Sequence, residues 1–451
     1  MGAFLFLLTS FLLIAISVIL MRGTTLDISD LRRNPFALLW YLQLILVSLP
    51  VVIVTAKGIK AIKVLYVSIP GSEIEIGVIT LLTLFLYVVS LAVFLRVFRL
   101  RLPPQEDNRL SPSYLRRLLM WMTLAGIAII ILFSMLGYHH ALLSSLLNRR
   151  SLLAIRLANK YHSSVPSQLA PIVLLVGWTI SILSGYMYRI RQRAVGIFYI
   201  IVGLILVTMP GDKAPILLAL ILWYLAAGIG IPKRAYSPKI LLIIVALISV
   251  LGYSMFFMLA RQQPDLDLAS FLSYLLNRIG VGQMAGVYET FGLASSGSFP
   301  GGDYYLHAIP GAKAFYSYID YQKMLMMVTE GYGYSEMGVK NTYFIAEAYA
   351  MGGYPLVWLS PVVVAFSSAM GLWVLRKYMR LLSPILAPHL ALAVYMLSHN
   401  ITGGFASFPL LKGMLLLIPL LSIVIVPVGY ISKISFFRVD KACSYSRIEK
   451  T

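Results

Sequence analysis

The chain has 451 residues, of which 59% are hydrophobic and only 12% charged, with a formal net charge of +20. A typical soluble domain is about a quarter charged, so this composition excludes a soluble enzyme, a disordered chain and a secreted disulfide scaffold. A single cysteine, Cys443, excludes an internal disulfide and a cysteine metal site.

Apolar runs of about 20 residues follow one another, the signature of an all-α multispanning membrane bundle. Hydropathy predicts eleven transmembrane helices, at 3–21, 36–56, 75–95, 118–138, 168–188, 195–209, 215–231, 240–260, 354–375, 384–399 and 413–431. The first leads straight into the second and lacks a small-residue cleavage site, so it is expected to be retained. The sixth is short for a bilayer core of about 30 Å and extends through Arg193 or tilts. Lys and Arg cluster in alternate loops: 23 of the 37 lie around 22–33, 96–117, 189–193, 233–239, 376–380 and the C-terminal tail. Positive residues mark the cytoplasmic side, which places the N-terminus outside and the C-terminus inside.

The chain then divides into N-terminal spans (1–138), an outer loop (139–167), central spans (168–260), a large outer loop (261–353), C-terminal spans (354–431) and a cytoplasmic tail (432–451). Outer loops this long in an economical bundle are usually functional. Residues 141–160 place Leu142, Leu146, Leu153 and Leu157 on one face and Arg149, Arg150, Arg156 and Lys160 elsewhere, predicting an interfacial helix. Residues 267–280 predict a second, with Asp267 near its start, Arg278 near its end and Gly280 beyond. No internal repeat is visible, which weighs against an inverted-repeat transporter.

The chain has no phosphate-binding Gly loop, dinucleotide fingerprint, H-E-x-x-H or serine elbow. Outer-side cations are the informative group: Arg149, Arg150, Arg156, Lys213, Arg261, Arg278 and Lys412. They fit a lipid-linked phosphate or pyrophosphate, which the Arg fork binds in pairs. They equally fit snorkelling to headgroups, or pairing with Asp265 and Asp267. Lys213 has its own neighbour, Asp212. Among the acids Glu289, Asp303, Glu330, Glu336 and Glu347, the last stands at an apolar membrane border, where a carboxylate suits general acid–base work or simply a helix start. Glu289 can pair with Arg278. His307 and Asp303 flank GDYYLHAIPG, and His399 opens the turn SHNITGGF as a helix end or a catalytic group. The Tyr and Phe residues that crowd the stretch from Tyr288 to Phe344, including Tyr304 and Tyr305, suit sugar rings or an interfacial belt.

Several segments, in this order, resemble the Wzy-type polymerases of O-antigen repeat units. They are NRRSLLAIRLANKY, GDKAPILLAL, ARQQPDLDLASFLSYLLNRIG, PGAKAFYSY, NTYFIAEAYAMGGYP and SHNITGGF. The resemblance implies a glycosyltransferase in the bacterial inner membrane with its active site facing the periplasm. Donor and acceptor would be oligosaccharides on undecaprenyl pyrophosphate, with no cofactor, metal or nucleic acid, and a separate protein would regulate chain length. Arg156, Lys213, Arg261 and Arg278 would hold pyrophosphate. Glu347, with His307 or Asp303 in reserve, would be the base, and Tyr304, Tyr305, Asn341 and His399 would meet substrate. The alternatives are a ligase moving finished glycan to lipid A core, a lipid-linked oligosaccharide flippase and a solute transporter.

Overall fold

The computed structural model describes residues 2–59, 62, 72–103, 111–148, 152–166, 169–212, 214–229, 267–269, 280–312, 315–331 and 340–448. Among them the chain is helical, with no strand beyond an isolated antiparallel bridge between Thr24 and Arg101. The helices are α1 (Gly2–Leu20), α2 (Ala37–Lys57), α3 (Glu73–Val97), α4 (Pro112–Met135), α5 (Ala141–Asn148), α6 (Leu152–Tyr161), α7 (Pro171–Arg189), α8 (Arg193–Val207), α9 (Ala214–Ala227), α10 (Ala285–Ser295), α11 (Tyr321–Glu330), α12 (Tyr343–Met379), α13 (Ala387–Ser398) and α14 (Lys412–Ile448).

Seven helices among the described residues are long and apolar enough to cross a membrane: α1, α2, α3, α4, α7, α12 and the first part of α14. The sixth and seventh predicted spans appear as α8 and α9, of 15 and 14 residues, and the tenth as α13, of 12 residues. The eighth, 240–260, lies outside the described residues. The predicted helix over 141–160 is found as α5 and α6 on either side of residues 149–151, which are not described, and 267–280 is described only at its ends.

Two centres organise the packing. Helix α7 is buried on nearly every residue and is surrounded by α4, α8, α9 and α13. Small residues make this possible: a Cβ on Gly177 would lie 2.7 Å from Val207 and 3.1 Å from the Gly203 carbonyl. Close backbone approach of this kind drives helix association in lipid, where apolar burial contributes little. The other centre is α12, packed on α3, α10 and α13. Trp40 donates to the Tyr87 hydroxyl (3.1 Å) and Gln43 to the Met396 carbonyl (3.3 Å), which joins α2 to α3 and α13. Peripheral α1 keeps Phe4, Leu5 and Phe11 exposed, as a lipid-facing helix does.

One end of the bundle is basic. Arg376, in the last turn of α12, donates to the Arg101 carbonyl (3.2 Å), and Arg33 to the Pro103 carbonyl (2.7 Å). Arg116 donates to Gln192 Oε1 (2.6 Å), and the Tyr114 hydroxyl reaches the Leu382 carbonyl. Four of the basic loops therefore meet at the C-terminal end of α12. The other end of α12 begins with Tyr343–Ala348, all buried, and breaks at Gly352 and Gly353. Gly353 takes φ +64°, where an L side chain is strained, and Pro355 follows. The break sets a short buried helical segment at an angle to the span beyond.

Candidate functional site

Glu347 lies in that short segment, with 1% of its surface exposed. A carboxylate buried this far must be paired and hydrogen-bonded, and four chain segments meet to do so. His307, on the 3-10 turn Tyr304–Ala308, places Nδ1 2.9 Å from Glu347 Oε1. The Ala406 backbone N–H donates to Oε2 at 2.8 Å. Asp320, at the cap position before α11, brings Oδ1 to 3.4 Å from Nε2 of the same ring. Lys412, which begins α14, donates to the His307 carbonyl. The imidazole thus stands between a buried carboxylate and a partly open one, with an ammonium behind its backbone. The His307 and Asp320 side chains are each 23% exposed, although the Asp320 Oδ1 that faces Nε2 is buried.

A glycine makes the enclosure fit. Gly404 takes φ +103°, and a Cβ there would collide with both the Gln322 amide and the Glu347 carboxylate. Gln322 is itself buried and donates to Thr342 Oγ1 (3.0 Å) and to the Gly403 carbonyl. Asn400 accepts from the Thr402 N–H (3.0 Å), which starts the turn Ile401–Gly403, and Thr342 N–H donates to the Thr402 carbonyl (3.2 Å). Residues 400–406 are therefore pinned against α11 and α12 before Ala406 reaches Glu347.

A second ionic cluster lies behind. Lys340, 5% exposed, places Nζ 3.0 Å from Glu289 Oε1 and also contacts Glu330 Oε1. Glu289 thus pairs with Lys340, while the expected partner Arg278 lies outside the described residues. Above this cluster the Tyr321 hydroxyl shares a 2.6 Å hydrogen bond with Thr290, and the Phe299 and Tyr304 rings pack on the Tyr321 ring. Burial pushes the Tyr321 hydroxyl well above the ordinary tyrosine range, against the opposing Thr290 hydrogen bond. Tyr318, whose ring centre is 6.3 Å from that of His307, is raised by partial burial and by the Asp320 carboxylate.

The residues singled out from sequence have different fates. Glu347 and His307 come together, whereas Asp303 is exposed and forms no side-chain hydrogen bond or ion pair among the described residues. Tyr304 is 2% exposed and gives its hydroxyl to the Pro300 carbonyl (2.8 Å), so it packs within the protein. Its neighbour Tyr305, with Phe315 and Tyr316, is open to solvent. Asn341 donates to Gln283 Oε1 (2.7 Å) and accepts the Gly286 N–H at its carbonyl (3.0 Å). His399 is buried, stacked on Tyr395 at 4.8 Å and 8°, with neither ring nitrogen hydrogen-bonded among the described residues. Arg156 pairs with Asp212 at 2.5 Å, both partly exposed. Lys213, Arg261 and Arg278 lie outside the described residues. Asp320, Gln322 and Gly404 are members of the site that sequence reasoning passed over. The only signal for Asp320 was its place before an amphipathic run, where it reads as a cap.

Among the described residues no group of three or more His, Cys, Asp or Glu is placed to hold a metal ion. Comparison with protein-family models, curated proteins and solved structures found no match.

Proposed function

We propose that the chain is a membrane glycosyltransferase of the Wzy type, joining undecaprenyl-pyrophosphate-linked oligosaccharide repeat units on the periplasmic face of a bacterial inner membrane. The observation that carries this reading is the His307–Glu347 pair at the head of α12, a buried carboxylate on a partly exposed imidazole. In the full proposal eleven spans cross the bilayer, N-terminus out, and the His307 end is outside. That orientation follows from the basic loops gathered at the opposite end.

The step is a substitution at the anomeric carbon of the donor's reducing-end sugar. The acceptor hydroxyl oxygen forms the new C–O bond. The bond to the pyrophosphate oxygen breaks, and its electron pair leaves with the lipid pyrophosphate. The hydroxyl proton passes to a general base. Both Glu347 oxygens are occupied and the side chain is buried, so the role of base falls to His307 through Nε2. Glu347 accepts from Nδ1–H and holds that tautomer, as an orienting carboxylate does beside a catalytic imidazole. Asp320 faces the ring nitrogen that gains the proton and favours the resulting charge. Arg156, Lys213, Arg261 and Arg278 are the proposed pyrophosphate ligands, and engaging Arg156 requires substrate to compete with Asp212. Exposed Tyr305 and Tyr316 offer ring faces to sugars. A separate chain-length regulator is the expected protein partner.

The test is in cells lacking the chromosomal copy. Wild type should restore long-chain surface glycan, and His307→Gln should leave single repeat units at equal protein abundance. Wild-type banding from His307→Gln would remove His307 from the chemistry.

A further inference from the structure

Away from this site, an open groove of about 560 Å³ lies at the basic end of the bundle, between the starts of α4 and α8. Arg116, Arg117, Met120, Val195, Phe198 and Tyr199 line it. Arg116 spends one N–H on Gln192 Oε1 at 2.6 Å, which orients the guanidinium at the mouth. Among the described residues no carboxylate lines the groove, and neither helix has an acidic residue in its first turn. The apolar wall continues beyond the arginines. Leu124 and Ile131 on α4, and Ile201 and Ile205 on α8, are all exposed. From Met120 to Ile131 an α-helix rises about 16 Å, close to the roughly 15 Å of one leaflet's hydrocarbon.

Two guanidiniums at the mouth of an apolar groove, on helices that expose aliphatic side chains for the depth of a leaflet, match an amphiphile with an anionic head. We propose that this groove binds an anionic phospholipid, its phosphate held by Arg116 and Arg117 and one acyl chain lying between α4 and α8. The planar guanidinium accepts phosphate oxygens in pairs. Charge complementarity selects an anionic headgroup over a zwitterionic one, and the exposed aliphatic wall selects a lipid over a free anion. The inference stands on this groove alone and does not depend on the reaction at His307.

The experiment is native mass spectrometry of the full-length protein in detergent, titrated with phosphatidylglycerol or with phosphatidylcholine of the same chains. Wild type should retain phosphatidylglycerol preferentially. Each arginine near a lipid surface contributes about fivefold in affinity, so Arg116→Gln with Arg117→Gln should weaken phosphatidylglycerol at least tenfold and leave phosphatidylcholine unchanged. Ala194 also lines the groove, so Ala194→Trp keeps both charges, fills it and should weaken phosphatidylglycerol as well. Should the arginine variants fail to fold, the wild-type titration decides alone: equal retention of the two lipids overturns the proposal. Displacement of phosphatidylglycerol by millimolar inorganic phosphate would mark a small-anion site and overturn the lipid assignment. A dimer that the tryptophan disrupts, with no lipid preference, would assign the groove to a second copy instead.

Discussion

Replacing Glu347 by Gln keeps the shape of a fully buried side chain and removes its charge. The two contacts then divide. The amide oxygen can still accept from the Ala406 N–H, but the amide NH2 faces His307 Nδ1, which accepts only when the ring proton sits on Nε2. Stability should fall by only about 1 kcal/mol, the net worth of one altered hydrogen bond. The chemistry should suffer far more, because Nε2 now carries a proton and cannot take one. A base lost in this way costs on the order of 100- to 10,000-fold. Glu347→Ala removes both acceptors. Two buried groups left unsatisfied, at about 1–3 kcal/mol each, predict about 2–6 kcal/mol of destabilisation. The assay pairs thermal unfolding of the purified protein in detergent with glycan elongation on a lipid-pyrophosphate repeat unit. The expected order of stability is wild type, then Gln, then Ala, with neither variant elongating. Wild-type elongation by a normally stable Glu347→Gln protein would refute the orienting role.

Gly404→Ala should be at least as damaging to elongation, since its Cβ meets the Glu347 carboxylate and its φ of +103° is strained for alanine; equal unfolding temperature and activity would contradict the enclosure described. Lys340→Met removes the cation that contacts both Glu289 and Glu330, and breaking a buried pair from one side costs about 3–5 kcal/mol. Adding Glu289→Gln should recover part of that loss in a double-mutant cycle read by unfolding, whereas additive losses would mean the two side chains do not interact. Arg156→Ala and Asp212→Asn remove a partly exposed pair worth about 0–1 kcal/mol. Unfolding should barely change, while Arg156→Ala alone should impair elongation; equal impairment by Asp212→Asn would reduce the pair to a structural contact.

The spans α1, α2, α3 and α7 were legible from hydropathy within a few residues, and α4 to within six, because continuous apolar runs have few other solutions in a bilayer. Helix α12 was harder. Its predicted start at 354 follows the Gly352–Gly353 break, whereas the chain is already helical from Tyr343. The buried segment before the break falls in the predicted outer loop, with Glu347 at its membrane border, where it also reads as a helix start. Glu347 and His307 were each visible as titratable groups beside apolar or aromatic sequence. Their pairing was not, since 40 residues separate them and no local period links the two. Asp320 and Gln322 carry no motif in sequence; only the fold brings Asp320 to His307 and Gln322 beside Gly404 and Glu347. The aromatic run from Tyr304 to Tyr321 suits sugar rings or an interfacial belt in sequence, but its buried Tyr304 and Tyr321 rings pack on each other beside the 3-10 turn. Tyr305, Phe315 and Tyr316 keep the exposure that such a platform needs.

The central claim is that this chain itself joins lipid-pyrophosphate-linked repeat units. The direct measurement is reconstitution of the purified protein with an authentic undecaprenyl-pyrophosphate repeat unit, in EDTA and without nucleotide, followed by electrophoresis of the glycan. A ladder of lengthening products from wild type, absent from His307→Gln, is the predicted result. A well-folded wild-type protein that leaves the repeat unit unextended, or that elongates equally well without His307, would contradict the account.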